Sequence, residues 1–235
     1  MGIINPLKLK GLLSLILMLL ALGCSMRTKV YHKKYSQILY SHKFHNAIFV
    51  NYQLKKGESN KAIKRTDDFR IDFLVDSTIS VEDYKYSGYD RGHLKPAGSS
   101  KRSKEEMSES FLLSNISPQY PQINRGIWKS IEEYERKLLN YYDSLNINTG
   151  TIFKNYFNKK LPNSKIRVPK YFYKTIMTPD SLTIAFLCAN EAVKDSIKFK
   201  YKSVNEIEKM LHQDLYPGLS EEQENTRRNN LILTY

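Results

Sequence analysis

Short apolar blocks separated by turn residues predict several β-strands in this chain. The blocks are rich in β-branched and aromatic side chains, which favour strands, and loop-forming residues follow or precede them. The predicted strands cover residues 47–54, 69–75, 168–176 and 182–189. We therefore expect a β-sheet to form the centre of the protein.

A stretch after residue 124 has the periodicity of an amphipathic helix instead. Apolar residues recur there at steps of three and four along one face; they are Ile127, Ile131, Tyr134, Leu138, Tyr141 and Leu145. A capping-box pattern that begins at Ser103 predicts a shorter helix reaching Leu113. A later helix is predicted over residues 204–210. Together, these patterns predict a chain that contains both strands and helices.

The segment 87–94, between the predicted strands and the long helix, carries ionisable side chains. Arg91 and His93 flank Gly92, so a cation lies two positions from a group that can take a proton near neutral pH. In an extended chain, residues two apart point to the same side. Arg91 and His93 can therefore face one site.

Polar residues also lie on one flank of the long helix. At about 100° per residue, Asn124, Glu132 and Arg136 fall at roughly 0°, 80° and 120°, beside an apolar stripe centred near roughly 310°. An amide oxygen suits Mg²⁺, which takes few protein ligands, and a histidine suits a general base. Each residue also has an ordinary interpretation, with Asn124 as an N-cap and Glu132 with Arg136 as a surface ion pair. Only their joint order and spacing favours a functional site.

That order and spacing resembles the DNA/RNA non-specific endonuclease family, which has a ββα-metal (His-Me finger) site. The matching positions are Asp90-Arg91-Gly92-His93, Met107, the block 111–119, and Asn124, Trp128, Glu132 and Arg136. The resemblance implies an α+β nuclease fold with a central antiparallel sheet flanked by helices. It extends over residues 45–219, which we predict to be the endonuclease domain.

The resemblance also implies a role for each matching residue. His93 would be the general base, Asn124 the protein ligand of the metal, and Arg91 a phosphate contact. Glu132 and Arg136 would hold water molecules bound to the metal and assist departure of the leaving group. The implied cofactor is Mg²⁺, with Mn²⁺ or Ca²⁺ as possible substitutes.

Further positions near the site have supporting or undecided roles. The residues expected to hold the site together are Asp90, Gly92 and Asn115. Lys95 departs from the small residue found in many relatives, and it either adds a phosphate contact or has no role. Arg65 and Arg70 both lie where relatives place a substrate-contacting arginine, and the sequence does not choose between them.

The function implied by the resemblance is metal-dependent hydrolysis of DNA and RNA, without strong sequence preference, to products with a 5′ phosphate. The alternative is a catalytically silent envelope lipoprotein that binds nucleic acid, for example during DNA uptake. A basic membrane-surface protein is a third interpretation. The presence of His93, Asn124 and Glu132 favours the enzyme, since a protein that only binds needs none of them.

The positive net charge of the chain is consistent with a polyanionic partner. The formal charge is +13, and it is +11 once residues 1–23 and their two lysines are set aside. A cationic surface attracts nucleic acid at long range and raises encounter rates. It also attracts anionic lipid and promotes solubility, so charge alone does not identify the partner.

The N-terminus has the pattern of a targeting segment. Lys8 and Lys10 precede an apolar run over residues 11–23, which is long enough for a signal peptide and short for a membrane span. Cys24 follows at once, and the junction resembles a bacterial lipobox, although Ala21 stands where leucine is usual. We therefore expect a lipid-anchored protein of the bacterial cell envelope that faces the periplasm or the exterior. Ordinary secretion and an uncleaved anchor helix are the alternatives.

These patterns divide the chain into four predicted segments. Residues 1–23 are a lipoprotein-type signal peptide, and residues 24–44 are a basic tether. The endonuclease domain follows at 45–219, and residues 220–235 form a polar C-terminal tail. The expected partners are DNA and RNA as substrates and a membrane through the lipid on Cys24.

Overall fold

A seven-stranded antiparallel sheet lies at the centre of the computed structural model, which describes residues 27–58, 62–153, 159–192 and 200–225. Its strands lie in the order β1-β2-β3-β6-β7-β8-β9. They are β1 (Thr28–His32), β2 (Gln37–Ser41), β3 (Asn46–Lys55), β6 (Ser144–Ile152), β7 (Tyr171–Met177), β8 (Thr183–Ala189) and β9 (Lys200–Lys202). A separate two-stranded ribbon pairs β4 (Asp90–His93) with β5 (Ile116–Gln119).

In the described ranges, four α-helices accompany the strands, and two of them cover the large sheet. They are α1 (Lys104–Glu109), α2 (Lys129–Leu138), α3 (Val204–Leu211) and α4 (Glu221–Asn225). Side chains alternate between the two faces of a strand, so Phe172 and Ile176 of β7 pack in one cluster with α2, whereas Tyr173 packs in another with α3. Because both faces are covered, β8 is apolar on both sides and reads as a continuous hydrophobic run.

Two predicted strands are confirmed and a third is displaced by a few residues. The strands predicted at 47–54 and 182–189 are β3 and β8. The strand predicted at 168–176 begins later, as β7, because the chain first crosses a loop containing Pro169. The helix predicted at 204–210 is α3, whose N-cap Ser203 forms a complete capping box with Glu206.

The strand predicted at 69–75 is wrong. This segment forms only isolated bridges, between Arg70 and Leu112 and between Asp72 and Asp76. Phe73 and Leu74 are 76% and 80% exposed, and only Val75 at the end of the run is buried in the main core. The run forms a tight turn whose Asp72 carboxylate bonds the Lys33 ammonium at 2.7 Å.

The expected basic tether at 24–44 needs correction for most of its length. Residues 28–41 form β1 and β2, and Ile38, Leu39 and Tyr40 are buried in the core. The sequence misled because basic side chains interrupt the edge strand β1 and the turn that follows it. The predicted signal peptide and Cys24 lie outside the described residues. Within the ranges that the structure describes, no helix is long and apolar enough to cross a bilayer.

The two helices predicted around the site are shorter than expected. The long helix was expected to carry its apolar stripe to Leu145, but α2 ends at Leu138, Tyr141 is exposed, and Leu145 belongs to β6. The helix capped by Ser103 ends at Glu109 instead of Leu113, because the chain turns there to reach β5. Ser103 Oγ accepts a hydrogen bond from the Glu106 amide at 3.1 Å, as a cap should.

A buried ion pair ties α2 to the sheet. The Glu135 carboxylate on α2 and the Lys174 ammonium on β7 are in contact, and both side chains are completely shielded from solvent. Tyr52 on β3 donates to Glu135 at 2.9 Å, and Ser99 Oγ donates to it at 2.6 Å. Every strong acceptor on Glu135 therefore has a donor, which is the condition under which a buried charge is tolerated.

We expect Lys174→Met to lower the free energy of unfolding by about 3–5 kcal/mol, because it leaves the Glu135 charge buried without its cation. The double variant Lys174→Met/Glu135→Leu should recover much of this loss. Lys170→Met is the matched control, since its partner Glu191 is on the surface and such pairs contribute roughly 0–1 kcal/mol. Denaturant unfolding measures all three. Equal losses for the two single variants would contradict the assigned importance of the buried pair.

Candidate active site

The β4–β5 ribbon positions the segment that contains Arg91 and His93. His93 pairs with Ile116, Gly92 with Ser117, and Asp90 with Gln119. A Cβ atom on Gly92 would lie 2.8 Å from the Gln119 Cβ, so only glycine fits between the strands. The close approach at Gly92 thus sets the register that places His93 at the end of the ribbon.

His93 lies in an aromatic enclosure. Its ring centroid is 5.4 Å from that of Phe69 and 4.9 Å from that of Phe111. The His93 carbonyl accepts a hydrogen bond from the Trp128 indole at 3.2 Å, whereas the buried Nε2 atom has no partner among the described residues. The ring is therefore held by packing, and one of its nitrogens is left unpaired.

Burial and nearby cations keep His93 neutral. Removal of the ring from water lowers its pKa to about 3, and the charges of Arg65 and Arg91 act in the same direction. At neutral pH the imidazole therefore carries no proton on one nitrogen and can accept one. Bound phosphate would offset the two cations and move this pKa upward.

Arg91 and Arg65 approach the histidine over the same aromatic rings. The Arg91 guanidinium lies 4.3 Å from the Phe69 centroid, and the Arg65 guanidinium lies 5.0 Å from the Phe111 centroid. Both arginines are exposed. Arg65 pairs with the exposed Asp67 at 2.6 Å, a contact that costs little to break in water. Two cations are thus presented beside His93 on flat, rigid surfaces.

The other two cations considered as substrate contacts are engaged in the fold. Arg70 bonds the Asp68 carboxylate and the Ser108 carbonyl, both at 2.8 Å, and so fastens its own segment to the end of α1. Lys95 is only 4% exposed and bonds Glu106 at 2.6 Å and the Tyr35 carbonyl at 3.1 Å. A substrate-contacting role for Lys95 is wrong, because a buried, paired ammonium cannot reach a phosphate. Arg65 is the arginine placed beside the site.

Asn124 is oriented by a carboxylate. Its Nδ2 atom donates to Asp90 at 2.9 Å, and Arg125 binds the same carboxylate through two hydrogen bonds, of 2.7 and 2.8 Å. Burial acts to raise the pKa of Asp90, but the Arg125 and Asn124 hydrogen bonds outweigh it, so the pKa falls. A carboxylate only accepts, so the Asn124 Oδ1 atom must point away from Asp90. That oxygen has no hydrogen bond within the described residues.

The N-cap interpretation of Asn124 does not hold. Residues Ile123–Trp128 form a π-helical turn with non-helical φ and ψ angles of −105° and −110° at Gly126, and no side-chain cap hydrogen bond is made at its start. The angular positions expected for one regular helix therefore need correction. Asn124 lies on the turn that precedes α2, whereas Glu132 and Arg136 lie on α2 itself.

Glu132 and Arg136 do not form the ordinary ion pair of a helix surface among the described residues. The Arg136 guanidinium packs over Gly98, and its Nη1 atom is 3.5 Å from Ser99 Oγ. Burial raises the pKa of Glu132 to about 8, although the nearby charge of Lys174 opposes the rise. A carboxylate with this pKa is strongly affected by any cation placed beside it.

Asn115 is buried and bonds the backbone on two sides. Its Oδ1 atom accepts from the Lys95 amide at 2.9 Å, and its Nδ2 atom donates to the carbonyls of Lys95 and Ser110. The buried amide thus fastens the chain that leaves β4 to the chain that enters β5. It makes no contact that would require it to react.

The aromatic enclosure of His93 was missed by sequence reasoning. Phe111 lies within the matching block 111–119, but its role is visible only when the fold brings it against the histidine ring. Phe69 was assigned to a strand that does not form. Gln119, also in the block, is fully buried and has no partner for either amide atom within the described part of the chain. The sequence pattern of the block 111–119 thus drew attention to these residues, but it did not reveal what Phe111 or Gln119 does in the fold.

A family model described as DNA/RNA non-specific endonuclease matches residues 19–221. The chain belongs to this family. It is 30% identical over 155 residues to mitochondrial endonuclease G of Homo sapiens, covering 60% of this chain and 51% of that protein. It is also 30% identical over 186 residues to the mitochondrial nuclease EXOG of Danio rerio, covering 71% and 53%. A nuclease of Nostoc sp. is 33% identical over 138 residues, covering 57% and 49%.

The chain also matches a solved structure. A crystal structure of the EndoG/EndoGI complex contains a chain that matches with a TM-score of 0.76 and 22% identity, covering 86% of this chain and 94% of that one. This likeness confirms the α+β, ββα-metal fold. The chain spans about half the length of the curated relatives that it matches.

We expect acid to destabilise the folded chain partly through His93. The unfolded chain takes up a proton near pH 6.5, whereas folded His93, with a pKa of about 3, does so only in stronger acid. The free energy of unfolding should therefore fall between pH 6.5 and pH 3, by a few kcal/mol from this group. His93→Gln should show a shallower fall in denaturant unfolding measured at several pH values.

The exposed His32 provides the control for that measurement. His32→Gln should retain the pH dependence of the wild-type chain, since this side chain lies on the surface of β1. The lowered pKa of Asp76 also makes acid destabilising, and it contributes equally to all three proteins. Identical slopes for wild type and His93→Gln would show that burial of His93 has no such cost.

Proposed function

We propose that this chain is a metal-dependent endonuclease that hydrolyses phosphodiester bonds of DNA and RNA without strong sequence preference. The observation that carries the proposal is the orientation of Asn124, whose Oδ1 atom is turned away from Asp90 and has no protein partner in the described residues. Family membership and the neutral His93 support it. The relatives named endonuclease G and nuclease EXOG agree with this assignment.

His93 would act as the general base. Its unpaired Nε2 atom accepts a proton from water, and the water oxygen forms a bond to phosphorus as the bond from phosphorus to the 3′ oxygen breaks. The 3′ oxygen then takes up a proton. The products carry a 5′ phosphate and a 3′ hydroxyl. Arg91 and Arg65 hold the phosphate, since both guanidinium groups are exposed beside the histidine.

The donor set around α2 fits a hard cation. Asn124 offers an amide oxygen and Glu132 a carboxylate, and oxygen ligands of this kind suit Mg²⁺, with Mn²⁺ or Ca²⁺ as substitutes. We propose that Asn124 binds the ion directly and that Glu132 supports its water molecules. Mg²⁺ held there would neutralise negative charge that develops on the phosphate. Arg136, on the next turn of α2, would assist departure of the 3′ oxygen.

The expected lack of base-sequence preference follows from contacts that are made to phosphate. Arginine side chains that bind phosphate oxygens carry no information about the bases. The net charge of +13 favours polyanions in general. DNA and RNA are therefore both proposed as substrates.

His93→Ala should lower the cleavage rate by about 10²–10⁴-fold, because the general base is lost, and should leave nucleic-acid binding intact. Plasmid and RNA cleavage, with fluorescence-anisotropy binding in parallel, measures both. Arg65→Ala should weaken binding as well as cleavage, whereas Arg70→Ala should leave binding at the wild-type level. Wild-type turnover by His93→Ala would refute the assignment. Binding without any cleavage by the wild-type chain would support the catalytically silent alternative.

Asn124→Ala should raise the Mg²⁺ concentration needed for half-maximal cleavage, because few protein ligands hold the ion. Titration of Mg²⁺ into the cleavage assay gives this value. Asn140→Ala is the matched control, since Asn140 is an exposed asparagine just after α2. Full activity of the wild-type chain in excess EDTA would exclude a metal-dependent mechanism.

We further propose that the chain is anchored in the cell envelope through lipid on Cys24. The lipobox-like junction and the apolar run before it motivate this proposal. Stable anchoring needs more than one acyl chain or a basic segment beside the lipid, and the exposed Arg27, Lys29 and Lys34 follow within ten residues, whereas Lys33 is paired with Asp72.

Cys24→Ser should release or mislocalise the protein, because the acyl chains would have no attachment site. Membrane fractionation measures this effect. Intact-mass analysis of the wild-type protein should find a chain that begins at Cys24 with added lipid mass. A soluble, unmodified chain that lacks residues 1–23 would establish plain secretion instead.

A further inference from the structure

Two apolar side chains are held in solvent on the turn that packs beside β1. Phe73 and Leu74, here called the apolar pair, are 76% and 80% exposed. Within the described ranges they are the only neighbours in sequence among the exposed large apolar side chains. Scattered apolar residues are normal on a surface, whereas contiguous ones indicate a contact with a protein or a membrane. None of the roles proposed for catalysis, the metal or the phosphate uses this pair.

The backbone of the turn is fixed by hydrogen bonds. The Val75 and Asp76 amides both donate to the Asp72 carbonyl, at 3.0 and 2.8 Å. The Asp72 carboxylate is bonded by the Lys33 ammonium at 2.7 Å and by the Ser114 hydroxyl at 2.6 Å. Val75 is buried in the main core and anchors the end of the turn. The fold therefore holds the apolar pair out of the core, where only a partner can remove it from water.

Cations of β1 stand beside this turn. The Tyr31 hydroxyl donates to the Val75 carbonyl at 3.4 Å, and the Lys29 ammonium lies 5.1 Å from the centroid of the Tyr31 ring. Arg27 directly precedes β1, and both Arg27 and Lys29 are exposed. The sheet thus presents positive charge along the edge strand next to the apolar pair.

The neighbouring carboxylates leave this positive charge in place. Asp72 and Asp76 are buried, and Asp72 is paired with Lys33. The exposed Glu105 bonds Lys34 at 2.6 Å and so offsets that lysine. Exposed cations next to exposed apolar side chains are the combination found where a protein lies on an anionic bilayer, with the apolar groups in the acyl boundary and the cations at the headgroups.

We propose that the turn carrying Phe73 and Leu74 inserts into the surface of an anionic lipid bilayer, while Arg27 and Lys29 bind its headgroups. Cys24 lies three positions before Arg27, so an extended chain would place its acyl groups within roughly 10 Å of the start of β1. The choice of a bilayer as partner rests on the proposed anchoring through Cys24. A lipid alone leaves a domain free to rotate about its attachment, whereas this second contact sets one orientation on the membrane.

Tryptophan fluorescence tests the contact at the turn itself. The full chain carrying Phe73→Trp is mixed with vesicles of phosphatidylglycerol and phosphatidylcholine, with or without bromine on the acyl chains of the phosphatidylcholine. Bromine quenches only nearby tryptophan, and the native Trp128 is fully buried in the core. The emission of the variant should shift to shorter wavelength in plain vesicles and lose intensity in brominated ones, because the new indole leaves water for the acyl boundary.

Tyr141→Trp is the matched control. Tyr141 is 81% exposed and lies between α2 and β6, three strands from β1 in the sheet, so its variant should show neither the shift nor the quenching. Quenching of Phe73→Trp no greater than that of Tyr141→Trp would overturn the proposal. A shift that appears without vesicles and grows with protein concentration would also overturn it, since a second copy of the chain would then cover the turn.

Two further measurements separate the parts of the proposal. Adding Arg27→Gln and Lys29→Gln to Phe73→Trp should weaken the quenching, and undiminished quenching would overturn the role of the two cations. Intact-mass analysis of the same samples reports the lipid on Cys24 independently. Quenching in a chain without lipid would support the contact and refute the anchoring, whereas a lipid-bearing chain without quenching would refute the contact alone.

Discussion

The buried pair between Glu135 and Lys174 is the interaction on which the geometry of the site depends. Neither charge has access to water, so each requires the other and the surrounding donors. Glu135 lies on the same helix as Glu132 and directly precedes Arg136. A rotation of α2 that moved those two side chains would also separate the buried charges. The orientation of the helix is thereby fixed more strongly than packing of apolar side chains alone would fix it.

Arg136 is linked to the same pair through Ser99. The Ser99 hydroxyl donates to Glu135 at 2.6 Å and lies 3.5 Å from the Arg136 guanidinium. The chain that follows β4 thus meets α2 at the buried carboxylate. Since β4 also carries Arg91 and His93, one network of hydrogen bonds relates the ribbon to the helix. Asp90 makes the second connection, by holding Asn124 and Arg125.

Sequence reasoning predicted correctly those strands and helices whose apolar side chains are buried and whose polar side chains are exposed. β3, β8 and α3 have the expected periodicity, and Arg91 and His93 lie on a strand as expected, whereas Asn124 lies on the turn before α2 and not on the helix. Sequence reasoning failed where a charged side chain is buried or an apolar side chain is exposed. Lys95 reads as a surface cation but has a buried partner in Glu106, and Phe73 reads as core but is exposed. The choice between Arg65 and Arg70 needed three-dimensional contacts, because both arginines have similar neighbours in sequence.

The irregular turn before α2 positions Asn124, whereas α2 itself positions Glu132 and Arg136; in one regular helix all three positions would be linked. The backbone leaves helical φ and ψ angles at Gly126, so the residues before this kink do not share the rotational phase of α2. Here the phase change falls between Asn124 and Glu132. The direction of the amide oxygen can thus be adjusted while α2 keeps the register dictated by its buried carboxylate.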